Sequence, residues 1–342
     1  MTDTMRALVK TAPGPGNIEV REVAVPHAGA GQVRVAVIAT GICGTDLHIV
    51  DGEFATRPPV IMGHEVTGVI DEIGPDVAPE WFGRRVALET YASTCEACEY
   101  CRSGRRNLCS ERRSIGSHVD GGFASYVVVP VHNAHSVDES VGYLAGALYE
   151  PLACVAHALC DPAVASPGDS ALVVGPGTIG LLAAQVLRSQ CASVVVVGTE
   201  RDAVRLKAAS ELGFVAVRSE DVPSATPNGG FTVVAECSGS ERGVTTALRS
   251  ARKAGRFVQV GLFGHPVPIE LDLVCLKELE VTSGNASTPR SWGRAERLVL
   301  SGSISLDRLV SASLPIAAWQ EAFARTRTGD CVKLVLEPQT TA

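Results

Sequence analysis

The sequence predicts an α/β chain in two parts, one β-rich and one doubly wound around a parallel sheet. Two observations predict it. From residue 152 onward, short apolar runs alternate with segments of helical periodicity: ALVV precedes TIGLLAAQVLRSQ, and SVVVV precedes RDAVRLKAASELG. Such alternation belongs to parallel strands joined by crossover helices that cover both faces. Before residue 152, the runs RALVK, IEVREV, QVRVAVIATGI and EVTGVIDEIG are broken by Gly and Pro and read as strands and turns. A length of 342 residues allows each part its own core.

The remaining elements follow in order. GGFASYVVVP is a further strand of the first part. Gly213 closes the helix RDAVRLKAASELG. FTVVAECSG, a helix over roughly 241–254, RFVQVGLFG and ELEVTSG continue the alternation. From SWGRAERLVL onward the pattern predicts a helix, a proline-marked strand entry and a last strand, KLVLEP, that returns to the first part. The expected division is 1–151 together with 285–342, enclosing a doubly wound domain at 152–284.

Composition narrows the function. A formal net charge of -7 argues against a nucleic-acid partner. No apolar run reaches the roughly 18 residues of a membrane span, so no membrane partner is expected. MTDTMRALVK lacks the basic region and apolar core of a secretory signal, which makes the cytoplasm the expected compartment. Eleven cysteines in such a chain point to ligands, catalytic thiols or core residues rather than disulfides.

The run Gly175, Pro176, Gly177, Thr178, Ile179, Gly180 forms G-x-G-x-x-G directly after the strand ALVV and at a helix start. The first glycine permits the tight turn, the second lets a pyrophosphate approach the backbone, and the third lets helix and strand pack closely. This is the Rossmann arrangement for a dinucleotide. The acidic residue expected about 20 residues on is Glu200, which can accept hydrogen bonds from the adenosine ribose and repel a 2′-phosphate. That favours NAD. Arg201 beside it can face a 2′-phosphate and leaves NADP open.

Metal-competent residues lie in separate segments. GICGTDLHI carries Cys43, Thr45, Asp46 and His48; GHE carries His64 and Glu65; YEPLA carries Glu150. A thiolate, an imidazole and a carboxylate suit zinc with one position left for water or substrate. Taken singly, Cys43 reads as a core residue, His64 as a satisfied buried histidine and Glu150 as a surface charge. CEACEYCRSGRRNLC places Cys95, Cys98, Cys101 and Cys109 together. On spacing alone it allows a structural metal site, a catalytic one or a redox pair at Cys98 and Cys101.

Together GICGTDLH, GHE, the C-x2-C-x2-C-x7-C lobe, the Glu150–Pro151 pair and the late dinucleotide domain resemble the zinc-dependent medium-chain alcohol and polyol dehydrogenases, in the sorbitol dehydrogenase-like branch. The resemblance implies a GroES-like catalytic domain beside the Rossmann domain. It implies that Cys43, His64 and Glu150 hold a catalytic zinc, that Glu65 can swing into its shell, and that Asp46 orients His64. It implies a structural zinc on Cys95, Cys98, Cys101 and Cys109. Zinc in such a catalytic site acts as a Lewis acid on the substrate hydroxyl, and the hydride passes to the nicotinamide. Thr45 would take the hydroxyl's hydrogen bond and His48 would relay the proton. Phe54, Tyr91 and Leu262 match substrate-pocket positions, Lys333 matches a pyrophosphate contact, and a homodimer or homotetramer is implied.

The substrate is less defined. Sorbitol dehydrogenases place an arginine-tyrosine pair shortly before a tryptophan; ahead of Trp292 this chain has Ser287 and Thr288. Threonine dehydrogenases carry a histidine three positions before the first lobe cysteine; here that residue is Ala92. Asn285, Ser287 and Thr288 are small polar residues that can bond a polyol, cyclitol or amino-sugar hydroxyl. The leading expectation is hydride transfer between a secondary alcohol of such a small molecule and NAD. The alternatives are a simple secondary alcohol or diol dehydrogenase, and a non-catalytic NAD-binding redox sensor or zinc scaffold.

Overall fold

The computed structural model describes residues 3–191 and 193–339. The chain forms two compact units. The first contains the chain up to Glu150, Val310–Arg327, and the segment from Lys333 on; the second contains Pro151–Leu309 and Thr328–Val332.

The first unit is built on a seven-stranded sheet. Its order is Ala134–Ser136, Arg85–Leu88, Glu65–Ile73, Gln32–Gly41, Lys333–Glu337, Val310–Pro315, with Tyr126–Pro130 also pairing on Gln32–Gly41. The alternation in QVRVAVIATG decides the inward face: Val33, Val35 and Val37 are buried against Val66, Ile70, Val86, Leu88, Val127 and Val129. A second sheet sets Thr4–Lys10 between Ile18–Ala24 and Val60–Ile61. Strand Gln32–Gly41 runs directly into the helix Gly44–Asp51, and strand Glu65–Ile73 begins one residue after His64. Their antiparallel register pairs Gly41 with Glu65, which brings the GICGTDLH and GHE segments together.

The second unit is a six-stranded, all-parallel sheet. Its order is Val215–Arg218, Ser193–Gly198, Ser170–Val174, Phe231–Glu236, Ala251–Gln259, Glu280–Ser283. The near-continuous valine runs are what a sheet covered on both faces requires. The order reverses direction between Ser170–Val174 and Phe231–Glu236, so the carboxyl ends of these two strands form the switch point where such sheets bind ligands. Val174 pairs with Glu236 there.

Two boundaries differ from the sequence reading. The helix expected over 241–254 spans Glu241–Ser250, because Ala251 already starts the next strand beside Phe231. Helix Pro289–Leu300 stays with the second unit, where Arg294 Nη2 bonds Asp161 Oδ1 at 3.0 Å and the Ser305 amide donates to Gln185 Oε1 at 2.8 Å. The return to the first unit therefore falls at Val310, not at 285. Among the described residues no helix is long and apolar enough to cross a membrane.

Candidate active site and metal centres

Cys43 caps the helix Gly44–Asp51, and its amide donates to Asp46 Oδ2 at 2.9 Å. This capping box satisfies helix-start donors and fixes the Asp46 side chain under Cys43. The other Asp46 oxygen, Oδ1, is buried without a hydrogen-bond partner and stands 3.7 Å from His64 Nδ1. A ring nitrogen turned toward a carboxylate leaves the other nitrogen for a metal. One donor atom each from Cys43, His64 and Glu65 lies within 4.8 Å of the others.

The electrostatics suit a cation. Burial disfavours protonated His64, yet the charges of Asp46, Cys43 and Glu150 outweigh it and hold the imidazole well above its usual pKa. Burial also raises the Asp46 carboxyl above the ordinary range. Glu150 is buried at the start of helix Tyr149–Cys160 and acts on His64 through its charge, but it lies outside the group of three. The carboxylate grouped with Cys43 and His64 in this conformation is Glu65. A thiolate, an imidazole and buried carboxylates form the donor set of a zinc site.

Lys333, expected on the cofactor pyrophosphate, has its ammonium buried in the first unit, 2.5 Å from Glu65 Oε2 and 2.9 Å from the Ile42 carbonyl. Burial opposes its charge, and the neighbouring Glu65, Cys43 and Asp46 more than restore it, raising its pKa. It is the ion-pair partner of the carboxylate grouped with Cys43 and His64.

His48 lies half-buried on the same helix as Cys43, with Nδ1 2.6 Å from Glu53 Oε2. Thr45 is half-buried one turn earlier. Glu53 escapes sequence reasoning because Gly52, at φ 77°, turns the chain back at the helix end, and no regular spacing links the two residues.

The four lobe cysteines close on one another, with sulfur atoms all within 4.8 Å. Cys95 Sγ and Cys101 Sγ are 3.9 Å apart; a tetrahedral zinc at about 2.3 Å from each sulfur would separate them by about 3.8 Å. Backbone amides of Cys98, Cys101 and Cys95 donate to the sulfurs of Cys95, Cys98 and Cys109 at 3.3, 3.5 and 3.5 Å. Amide donation from Ala97 and Cys98 lowers the Cys95 thiol to about 7. All four are free of disulfides. The lobe fits a closed four-thiolate metal site.

The glycine motif divides its roles as its spacing predicts. Gly175 has φ +99°, and a Cβ there would stand 2.7 Å from the Ser238 backbone. A Cβ on Gly180 would stand 1.8 Å from the Gly175 carbonyl oxygen. Gly177 is different: its φ is −70°, and a Cβ would meet nothing within 4 Å. The protein itself does not demand glycine there, which is what a cradle reserved for a phosphate requires. Thr178 ties the helix start down by donating to the Val332 carbonyl at 2.8 Å, and Ile179 is half-buried in that first turn. Glu200 and Arg201 are exposed in the short turn after strand Ser193–Gly198, with Thr199 capped by Asp202 at 2.8 Å.

A further carboxylate stands at the switch point without a sequence motif to mark it. Glu236, fully buried at the switch point, accepts from the Ser238 amide at 2.8 Å, the Gly239 amide at 3.2 Å and Gln259 Nε2 at 2.8 Å. It ties together the two loops that follow its own strand and the next. In the sequence it is merely the last residue of an apolar run.

Phe54 is half-buried, Tyr91 is 3% exposed with Arg112 stacked on its ring at 5.3 Å, and Leu262 is 66% exposed on the second unit. Ser287 and Thr288 do not offer polyol contacts. Ser287 is fully buried and accepts from Trp292 Nε1 at 3.0 Å, and Thr288 caps helix Pro289–Leu300 through the Ser291 amide at 3.2 Å.

Comparison with known proteins agrees with this geometry. Residues 29–139 match the alcohol dehydrogenase GroES-like domain, and residues 178–301 match the zinc-binding dehydrogenase family. A sorbitol dehydrogenase of Halalkalibacterium halodurans is 37% identical, covering 98% of this chain and 99% of its own length. A D-arabitol-phosphate dehydrogenase of Enterococcus avium is 33% identical over 98% of each chain. The solved structure of a zinc-binding dehydrogenase from Sinorhizobium meliloti, bound to NADP, superimposes with a TM-score of 0.85 at 34% identity, covering 98% of this chain and all of that one. The two matched domains and the full-length similarity place this chain in the zinc-dependent medium-chain alcohol and polyol dehydrogenase family, as an oxidoreductase.

Proposed function

We propose that the protein transfers a hydride between a secondary alcohol of a polyol, cyclitol or sugar-derived small molecule and NAD. The observation that carries this reading is the grouping of Cys43, His64 and Glu65 donor atoms within 4.8 Å, buttressed by Asp46. Cys43 and His64 would hold the catalytic zinc, with Glu65 or Glu150 as the third ligand; the four lobe cysteines would hold a structural zinc. Bound there, zinc supplies Lewis acidity that lowers the pKa of the substrate hydroxyl.

Thr45 takes the hydrogen bond of that hydroxyl. His48, steadied through Nδ1 by Glu53, passes the proton toward solvent. Gly177 leaves the opening for the pyrophosphate, and Glu200 bonds the adenosine ribose. The preference for NAD rests on Glu200; the NADP in the S. meliloti structure keeps Arg201 in contention.

Strand Glu280–Ser283 pairs on one side with Ala251–Gln259 and, among the described residues, has no strand on its other edge; with the exposed Leu271, Leu276 and Val281 it supports a homodimer joined through the second unit. Light scattering should give twice the monomer mass, and Val281→Lys should return it to one.

The test of function is reduction of NAD and of NADP across polyols, cyclitols, amino sugars and simple secondary alcohols, with and without a zinc chelator. We expect chelator-sensitive turnover with one hydroxyl pattern. Turnover that survives complete metal removal would end the zinc reading. In the same assay Glu200→Ala should raise KM for NAD about tenfold or more, the value of a charge-assisted hydrogen-bond pair, and change NADP less. Equal effects on both cofactors would take Glu200 off the ribose.

A further inference from the structure

The loop Gly116–Gly122 is fixed on the segment that aims His64. The Gly122 amide donates to the Gly63 carbonyl at 2.9 Å. A Cβ on Gly116 or Gly121 would stand 2.7 or 2.0 Å from that same oxygen. His118 follows two residues after Gly116, so their Cα atoms are at most about 8 Å apart. Its ring folds back on its own loop, with Nδ1 3.0 Å from Ser117 Oγ and 3.4 Å from the Ser114 amide.

Basic groups reach this histidine from two separate segments. Arg57 lies beyond Phe54 on the loop that leaves helix Gly44–Asp51, and its amide donates to the Ser117 carbonyl at 2.8 Å. That loop starts at the relay: the Glu53 and Phe54 amides both donate to the His48 carbonyl, at 2.8 and 3.3 Å. Arg112 and Arg113 come from the edge of the cysteine lobe, where strand Arg113–Ser114 pairs with Tyr91–Ser93. Arg112 is committed to the Tyr91 ring and to the Asn107 carbonyl at 2.8 Å. Arg57 and Arg113 are exposed.

Among the described residues none of these three arginines has a carboxylate partner, whereas Arg106 of the same lobe is paired with Glu96 at 2.7 Å. Burial and the three arginine charges together hold His118 below the usual imidazole pKa, and no acidic side chain offsets them. A concentration of positive charge thus stands on the loop fixed to Gly63 and next to the loop that leaves His48; the carboxylate of this loop, Asp120, is engaged by the Ile61 amide at 2.9 Å.

We propose that Arg57, Arg113 and His118 form an anion subsite for the far end of the substrate, and that the substrate is a phosphate monoester of a sugar alcohol. Two guanidinium forks match phosphate oxygens bidentately, and a near-dianionic phosphate rewards such a field more than a carboxylate does. The inference rests on the dehydrogenase reading above, since it needs a reacting hydroxyl at the Cys43–His64 group and an anion a few bonds away.

The test compares pentitols and hexitols, their terminal phosphate esters and the matching sugar acids as substrates of the zinc-loaded enzyme with NAD. For the preferred stereochemistry, kcat/KM for the ester should exceed that for the free alcohol about 10²-fold, mainly through KM. In Arg57→Gln and Arg113→Gln that ratio should fall at least about tenfold. Calorimetric titration of the ester into wild type and both variants reads binding without turnover. Equal kcat/KM for ester and free alcohol overturns the proposal, as does a sugar acid surpassing the ester. Unchanged ester binding in both variants overturns it even if nothing turns over. Chelator-sensitive oxidation of only unphosphorylated alcohols would sink the subsite and leave the dehydrogenase reading standing.

Discussion

Cys43→Ser is expected to lower kcat on the order of 10³-fold or more while the protein folds and still binds NAD. A serine hydroxyl is a poor zinc ligand at neutral pH, and the several kcal/mol that a Lewis acid contributes to the barrier would be lost with the metal. The change is otherwise mild. Serine is nearly the size of cysteine and is among the best helix caps, so the helix Gly44–Asp51 keeps its start and Asp46 keeps the residue-43 amide. Metal content per chain, kcat and a fluorescence titration of NADH separate the contributions. Zinc reduced to the lobe's share, with cofactor affinity intact, is the expected result. Loss of NADH binding as well would mean that Cys43 supports the fold rather than the chemistry.

Lys333→Met is expected to cost about 3–5 kcal/mol of stability in the metal-free protein, because it strips the Glu65 carboxylate of the ammonium 2.5 Å away. Both side chains are almost wholly buried, at 3% and 2% exposure, so water cannot take over. The cost should shrink when zinc is loaded, since the metal supplies positive charge at the same carboxylate. Adding Glu65→Gln should recover part of the loss by removing the charge that was left unpaired. Urea unfolding of the metal-free and zinc-loaded forms measures both effects. A loss below about 1 kcal/mol, the value of a solvent-screened pair, would show that the pair is open to water.

The sequence carried the parts of the molecule whose spacing is local. The glycine turn lies within six residues; Gly175 and Gly180 are each crowded by backbone, and Gly177 is left open. The lobe cysteines lie within one short stretch, and their sulfurs converge as the spacing predicts. The grouping of Cys43 with His64 was legible through the shared motif rather than through distance, since it depends on the antiparallel register of Gly41 with Glu65. What stayed hidden depends on partners far away in the chain. Lys333 is separated from Glu65 by 268 residues, and a lysine near a C-terminus carries no mark of its counter-ion. Ser287 and Thr288 looked available because nothing in their own segment says that a tryptophan N–H and a helix start already engage them. Helix Pro289–Leu300 was assigned to the wrong unit for a similar reason: its amphipathic period says that it packs, but not on what.

The strand order of the first unit also constrains how the protein is made. Lys333–Glu337 is an inner strand of that unit's large sheet, inserted between Gln32–Gly41 and Val310–Pro315. A ribosome therefore delivers the Cys43 and His64 segments early, but their sheet stays incomplete until Lys333–Glu337 has emerged, nearly 300 residues after Cys43. Through most of synthesis Glu65 has no Lys333, and the strand Gln32–Gly41 exposes an unfilled edge near residues 40 and 41. The parallel sheet of the second unit has all six of its strands by Ser283 and can assemble first. A stop codon at position 333 would remove Lys333 and the whole inner strand. Nascent chains that end there should present folded nucleotide-binding units attached to an unfinished, metal-poor partner, a state that proteases and chaperones would meet before any substrate does.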